Sequence, residues 1–199
     1  MVLTHGAGGN ADAPLLIAAA NAFCGLGFHV LRCDLPFRQR RPTGPPSPAT
    51  AAADRDGLRN AVAVMRSIAP RKVVLGGQSY GGRQATMLAA EEPHLVDGLL
   101  LFSYPLHPPG KPEQLRDAHL KDIRAPMLFI QGSRDAFGTP DEISAVSKRL
   151  KLPATLYPIE GGDHSLKVPK GAGVPPDQVY ETTMDEISRW LRLKSIDCN

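Results

Sequence analysis

The stretch that most restricts what this chain can fold into runs from Lys72 to Gly82: Lys72-Val73-Val74-Leu75-Gly76-Gly77-Gln78-Ser79-Tyr80-Gly81-Gly82. It continues as Arg83-Gln84-Ala85-Thr86-Met87-Leu88-Ala89-Ala90. A β-branched apolar run, then glycines, then good helix formers predict a strand, a sharp turn and a helix. Gly77 and Gly81 flank Ser79 in a G-x-S-x-G pattern, where small residues let strand and helix approach and the serine takes a strained backbone. The helix start turns its free amides and positive dipole end toward Ser79. A glycine-rich turn with an incidental serine has the same five letters, so the strand–turn–helix setting carries the reading.

The rest of the chain alternates in the same way. Val2-Leu3-Thr4 reads as the end of a buried strand and runs into His5-Gly6-Ala7-Gly8-Gly9. Leu15 to Phe23 predicts a helix, with Asp12 as its cap and Pro14 in its first turn. Phe28 to Cys33 predicts the next strand. Asp34 to Thr50 is rich in Pro, Arg and Ser, which predicts a long loop without regular structure. Ala51 to Ile68 is helical, with Leu58, Val62, Met65 and Ile68 on one stripe and Pro70 closing it. After the central helix, stopped at Glu91-Glu92-Pro93, come a strand over Val96–Phe102 and an irregular stretch through Tyr104 and His107. Then follow a strand from Met127 to Gln131, a helix from Asp141 to Leu150 capped by Thr139, and a strand over Ala154–Ile159. A last amphipathic helix over Pro176–Leu193 turns Val179, Met184, Ile187, Trp190 and Leu191 inward. Apolar strands alternating with helices, with no hairpin signal, predict a three-layer α/β/α sandwich around a mostly parallel sheet of about six strands. The 199 residues fit one domain, 1–199.

Parallel α/β sheets place ligands beyond the carboxyl ends of their strands. His5, Asp34, Ser79, Tyr104, Asp135 and His164 all fall at such ends. A serine hydroxyl needs a base to act as a nucleophile near neutral pH, and the base needs a partner that fixes its tautomer. Ser79, Asp135 after the second following strand and His164 after the third supply nucleophile, acid and histidine in one order. A turn-capping aspartate and a surface histidine are the ordinary readings of Asp135 and His164 taken singly. Their joint placement favours a triad. Asp163 is expected on the loop surface, and His5 beneath the glycines as a structural group. The amides of Tyr80 and Ala7 are the expected oxyanion donors. Tyr104, His107 and Arg38 are the expected substrate-binding side chains, with His107 lining the entrance.

Composition narrows the alternatives. A formal charge of +3 gives no argument for nucleic acid. Asp12 to Arg32 encloses a run free of Asp, Glu, Lys and Arg, but Gly25 and Gly27 split it and no basic segment precedes it, so it predicts neither a membrane span nor a leader. Cys24, Cys33 and Cys198 show no ligand-like spacing, so no metal site is expected. They are read as reduced, with Cys24 and Cys33 packed as small apolar residues, in a cytoplasmic protein. Arg38, Arg40 and Arg41 hint at an acidic substrate group.

His5-Gly6-Ala7-Gly8-Gly9, the serine turn, Gly132-Ser133-Arg134-Asp135 and Gly162-Asp163-His164-Ser165 resemble the α/β-hydrolase superfamily on its dienelactone-hydrolase-like side. Pro36-Phe37-Arg38 and Ser103-Tyr104-Pro105-Leu106-His107 resemble more narrowly a family of small predicted hydrolases. Its eukaryotic relatives include a testis-expressed protein and a subunit of a chromatin acetyltransferase complex. The resemblance implies a serine hydrolase fold with no cofactor. Together with the residues it leads to the expectation of a small serine hydrolase without a lid domain, monomer or homodimer, acting on an ester or related acyl compound. Peptidase or thioesterase chemistry, or a silent binding module, remain the alternatives. Members of the family usually carry sequence before the His-Gly loop, so the leading strands of the fold are expected to be absent here, leaving a sheet edge open. A site without a lid is expected to be shallow and to favour short acyl chains.

Overall fold

The computed structural model describes residues 1–69, 71–169 and 175–196. The strands are β1 (Val2–Thr4), β2 (Leu31–Cys33), β3 (Val74–Gln78), β4 (Gly98–Phe102), β5 (Met127–Gly132) and β6 (Ala154–Ile159). The helices are α1 (Pro14–Gly25), α2 (Pro36–Arg40), α3 (Ala51–Ile68), α4 (Tyr80–Glu91), α5 (Pro140–Leu150) and α6 (Pro176–Leu193). All six strands pair in parallel, in the order β2-β1-β3-β4-β5-β6.

Each strand sends alternate side chains to opposite faces. Leu75, Leu99, Leu101, Met127 and Phe129 pack toward Leu58, Val62 and Met65 of α3, Leu88 of α4 and Ile143 of α5. Val74, Leu100, Phe102, Leu128 and Ile130 pack toward Leu16 and Phe23 of α1 and Ile187 and Trp190 of α6. A sheet covered on both faces explains why its central strands read as continuous apolar runs. The three layers foreseen from the alternation are present.

The order of the strands positions the site. The chain leaves β1 for β2 on one side, then returns past β1 to β3 on the other. That reversal opens a crevice beyond the carboxyl ends of β1 and β3. Gly6–Gly9 and Ser79 are the residues that follow those two strands.

The local chemistry departs from expectation in several places. Asp12 does not cap α1; Ala13 occupies the cap position, and the Asp12 carboxylate pairs with Arg32 at 3.1 Å. The strand foreseen from Phe28 begins at Leu31, once its pairing with β1 starts. The Asp34–Thr50 segment is not wholly irregular: Pro36 opens the short helix α2, and Pro48–Thr50 is a 3₁₀ turn. Proline at a first helical position is preorganised for the helix, so the same residue type that breaks structure elsewhere starts it here. Ile68, at the end of its stripe, is exposed. Cys24 is likewise exposed rather than packed, whereas Cys33 is partly buried and burial pushes its thiol up to about 11. Pro70 and Cys198 lie outside the described residues. At α5 the expected cap is present and forms a complete capping box: the Thr139 hydroxyl accepts from the Glu142 amide, and the Glu142 carboxylate accepts from the Thr139 amide.

His119 precedes a 3₁₀ turn at Leu120–Asp122 that packs on α4, with its Nε2 2.9 Å from the Thr86 hydroxyl. Burial first, then the positive charge of Arg83, lowers its pKa to about 4. The folded-state value is below the unfolded value of about 6.5, so in that window the unfolded chain binds more protons. Stability contributed by neutral His119 is therefore full above about pH 6.5 and lost as pH falls toward about 4. Melting temperatures of wild type and His119→Gln measured between about pH 7.5 and 4 should show a shallower acid decline in the variant. Parallel declines would exclude His119 as the source.

Candidate active site

The turn after β3 is built on close contact. A Cβ at Gly77 would come within 2.5 Å of Gly81 C, and one at Gly81 within 2.4 Å of His5 O. Only glycine lets β3, the start of α4 and the loop after β1 meet at these separations. Ser79 sits at the apex with φ 50° and ψ −115°, a conformation that L residues rarely adopt. Strain of this kind persists where the surroundings over-determine it.

Two more carboxyl-end loops converge on Ser79. His164 Nε2 lies 2.8 Å from Ser79 Oγ, and His164 Nδ1 lies 2.8 Å from both Asp135 carboxylate oxygens. One neutral tautomer satisfies both contacts: Nδ1–H donates to the carboxylate while bare Nε2 accepts from the serine hydroxyl. Asp135 is 2 % exposed, and its Oδ1 also accepts from the Phe137 amide at 2.8 Å. The Phe137 ring stacks on the His164 imidazole at 4.1 Å between centroids. Asp163 is exposed, where its Oδ1 accepts from the Ser165 and Lys167 amides and shapes the histidine loop.

The amide of Tyr80, first residue of α4, and the loop holding Ala7 border the same cleft. Amides in the first turn of a helix lack intrahelical partners and suit a developing negative charge. The Tyr80 side chain points the other way. Its hydroxyl donates to Asp54 at 2.8 Å, and burial together with that carboxylate pushes the phenol pKa up. Asp54 is fully buried and also accepts from the Phe37 amide at 2.9 Å, so it joins α2, α3 and α4 behind the serine.

His5 is structural in this geometry. Its Nδ1 donates to Gly6 O at 2.7 Å and its Nε2 accepts from the Leu35 amide at 3.2 Å. Burial lowers its pKa, which suits the neutral ring that this pairing requires.

The three side chains expected to bind substrate are not in the cleft. Tyr104 is fully buried beside Phe129, with its hydroxyl donating to Arg116 O at 3.1 Å. His107 is 5 % exposed, held by Pro108 O at 2.8 Å and by Glu142 at 3.4 Å. Arg38 is 6 % exposed and spends its donors on carbonyls: Gly9 O at 2.8 Å, Ala7 O at 2.7 Å, Gly44 O at 3.2 Å and Arg41 O at 3.3 Å. The loop brings each residue to the right end of the sheet, but a buried apolar or carbonyl-rich environment claims the side chain. Arg40 and Arg41 are exposed and do not border the cleft.

Sequence reasoning passed over Gln131. Fully buried at the end of β5, its Nε2 donates to Asp135 Oδ2 at 2.8 Å and Gly138 O at 2.6 Å, and its Oε1 accepts from the Tyr104 amide at 2.8 Å. The signal was a polar residue closing an otherwise apolar strand. Asp54 carried a comparable one, an acid on the stripe of α3 that holds Leu58, Ala61 and Met65.

The open cleft above these groups has a volume of about 910 Å³. Gly6–Gly9 form one wall and Pro46–Pro48 another, while Met87 and Pro105 add apolar surface. Among the described residues no cluster of His, Cys, Asp and Glu fits a metal ion.

A sequence profile for the alpha/beta hydrolase domain matches residues 1–192. The chain belongs to that family. An Aquifex aeolicus protein assigned by name to the carboxymethylenebutenolidases is 34 % identical over 79 residues, which is 40 % of this chain and 31 % of that protein. This chain thus aligns with less than a third of that relative's length. Among solved structures, an α/β serine hydrolase homologue of Coxiella burnetii superposes with a TM-score of 0.71 at 14 % identity, covering 96 % of this chain and 85 % of the other. A lidless α/β serine hydrolase of Xanthomonas campestris gives 0.67 at 18 % identity over 96 % and 80 %. A dienelactone hydrolase of Anabaena variabilis gives 0.65 at 22 % identity over 96 % and 84 %. These likenesses establish an α/β-hydrolase fold, and no described helix is long and apolar enough to cross a membrane.

A Cβ at Gly132 would lie 2.3 Å from Gly162 O, where the loops carrying Asp135 and His164 touch. Gly132→Ala should therefore destabilise the fold by about 1–3 kcal/mol, the usual cost of overpacking. It should also remove the downfield imidazole proton resonance that a His164–Asp135 hydrogen bond produces in the wild type. An unchanged resonance in the variant would show that the two loops are held together elsewhere.

Proposed function

We propose that this protein is a serine hydrolase that cleaves an ester or related acyl bond of a small molecule through Ser79, His164 and Asp135. The observation that carries the reading is the continuous chain of contacts from Ser79 Oγ through the imidazole to a buried carboxylate. As His164 Nε2 takes the hydroxyl proton, Ser79 Oγ bonds to the acyl carbon and the carbonyl electrons move onto its oxygen. The Tyr80 and Ala7 amides stabilise that oxyanion. Collapse breaks the bond to the leaving group, which takes the proton from His164. A water then repeats the sequence, with His164 as base, to release the acid and restore Ser79. Asp135 holds the ring in the required tautomer and stabilises the imidazolium without taking its proton.

Gln131 and the Phe137 amide keep the Asp135 carboxylate aimed. The Phe137 ring packs on one side of the imidazole and limits its rotation. None of these groups requires a cofactor.

A fluorophosphonate probe should add once to the wild type and not to Ser79→Ala, read by intact mass. Asp135→Asn should reduce kcat on any ester that the wild type hydrolyses by on the order of 10³- to 10⁴-fold with the melting temperature little changed. A folded wild type that takes no adduct, or an Asp135→Asn variant of near-normal activity, would overturn the assignment.

A further inference from the structure

The sequence suggested that arginines in the 38–41 segment meet an acidic group, but none of the three borders the cleft. Two other arginines, Arg83 and Arg116, do border the cleft. Among the described residues no Asp, Glu or Lys borders it, so the two guanidiniums have no carboxylate across the cleft. Nearby acids are already engaged: Asp54 with Phe37 and Tyr80, Glu91 with Arg55, and Asp117 with Arg149.

Neither guanidinium has an ion pair or side-chain hydrogen bond among the described residues, and Arg83 Nε is buried with no partner. Next to Arg83, the Gln84 amide is fixed by Arg55, which donates to Gln84 Oε1 at 3.2 Å. That leaves Gln84 Nε2, a second buried donor, without an acceptor. Gln84 borders the same cleft. The two arginines also feel each other: burial first, then the charge of Arg83, lowers the Arg116 pKa. Two like charges bordering one space, with two buried donors beside it left without acceptors, are costly unless an anion enters that space.

From this we infer that the substrate is an ester bearing a second, anionic group, held by Arg83 and Arg116 while Ser79 attacks the carbonyl. The inference rests on the serine hydrolase reading above and names its substrate class. Ser79 precedes α4 at its cap position and its carbonyl accepts from the Arg83 amide at 2.9 Å, so Arg83 stands one helical turn, about 5.4 Å, further along. Allowing for the reach of the arginine side chain, a short spacer between carbonyl and anion fits. A hemiester of a dicarboxylic acid with about four to six carbons has such a spacer, as does a short-chain ester of a small hydroxy acid.

Initial rates should be compared for 4-nitrophenyl hemiglutarate against 4-nitrophenyl pentanoate, and for the butyrate ester of 4-hydroxybenzoate against that of methyl 4-hydroxybenzoate. The wild type should prefer the anionic member of at least one pair by on the order of 10- to 100-fold in kcat/KM, as charge-assisted hydrogen bonds imply. The ratio should collapse toward one in Arg83→Gln and in Arg116→Gln, be partly kept in Arg83→Lys, and shrink with added salt. Circular dichroism melts identify any variant that fails to fold. Independently of turnover, glutarate and 4-hydroxybenzoate should be titrated onto Ser79→Ala, where at least one should raise the melting temperature of that protein and not of its Arg83→Gln derivative. Ester hydrolysis with no charge preference in either pair and no ligand-induced stabilisation would overturn the anion site and leave the hydrolase reading standing. Arginine-dependent stabilisation without hydrolysis of any ester would support the anion site and defeat the hydrolase reading.

Discussion

Everything at the candidate site depends on how closely three backbones approach behind Ser79. The end of β3, the first turn of α4 and the loop after β1 are separated by less than a side chain would permit. That contact holds the serine in its unfavourable backbone conformation, aims the amide of Tyr80 and places the Gly6–Gly9 loop opposite it. The energetic support comes from elsewhere in the fold. A parallel sheet packed on both faces and the buried Asp54 fix the elements whose ends do the work. Preorganisation of this sort lets dipoles act on a developing charge without first having to turn toward it.

A similar economy governs the loops that carry Asp135 and His164. Gly132 lets the loops after β5 and β6 touch, and Gln131 closes the space between Asp135, Gly138 and the turn after β4. A buried carboxylate is tolerable because each oxygen is occupied, by the imidazole on both and by Phe137 and Gln131 on one each. Deleting any one donor leaves the charge short of a partner in a place that water does not reach.

Much of this was legible in the chain, and the exceptions share a cause. The strand–turn–helix grammar around Ser79, the positions of Asp135 and His164, the helix over Ala51–Ile68 and the last strand over Ala154–Ile159 follow from periodicity and turn chemistry, which are local. What failed were statements about where a side chain goes once its backbone is placed. Arg38, His107 and Tyr104 lie on loops near the carboxyl ends of the sheet, yet all three turn inward to satisfy carbonyls or fill the core. A loop position tells which end of the sheet a residue occupies; it does not tell which neighbour is short of a hydrogen bond. For the same reason Arg83 and Arg116 were passed over. One sits inside a helix and the other in an irregular stretch, and only the assembled cleft shows that both lack a carboxylate.

The Arg38 strap has a bearing on how such a protein diverges. By holding Ala7, Gly9 and Gly44 with one guanidinium, it joins the glycine loop to the proline-rich wall while leaving the outer residues of that wall exposed. The wall is thereby tied to the backbone that faces the serine through main-chain carbonyls, and not through its own side chains. Side-chain substitutions between Arg41 and Ser47 that leave the Arg41 and Gly44 carbonyls in place can redraw the mouth of the cleft while the amides beneath it keep their places. Under the proposed hydrolase reading, novelty in the compounds admitted and constancy in the chemistry would fall to different parts of one short segment, its side chains and its carbonyls.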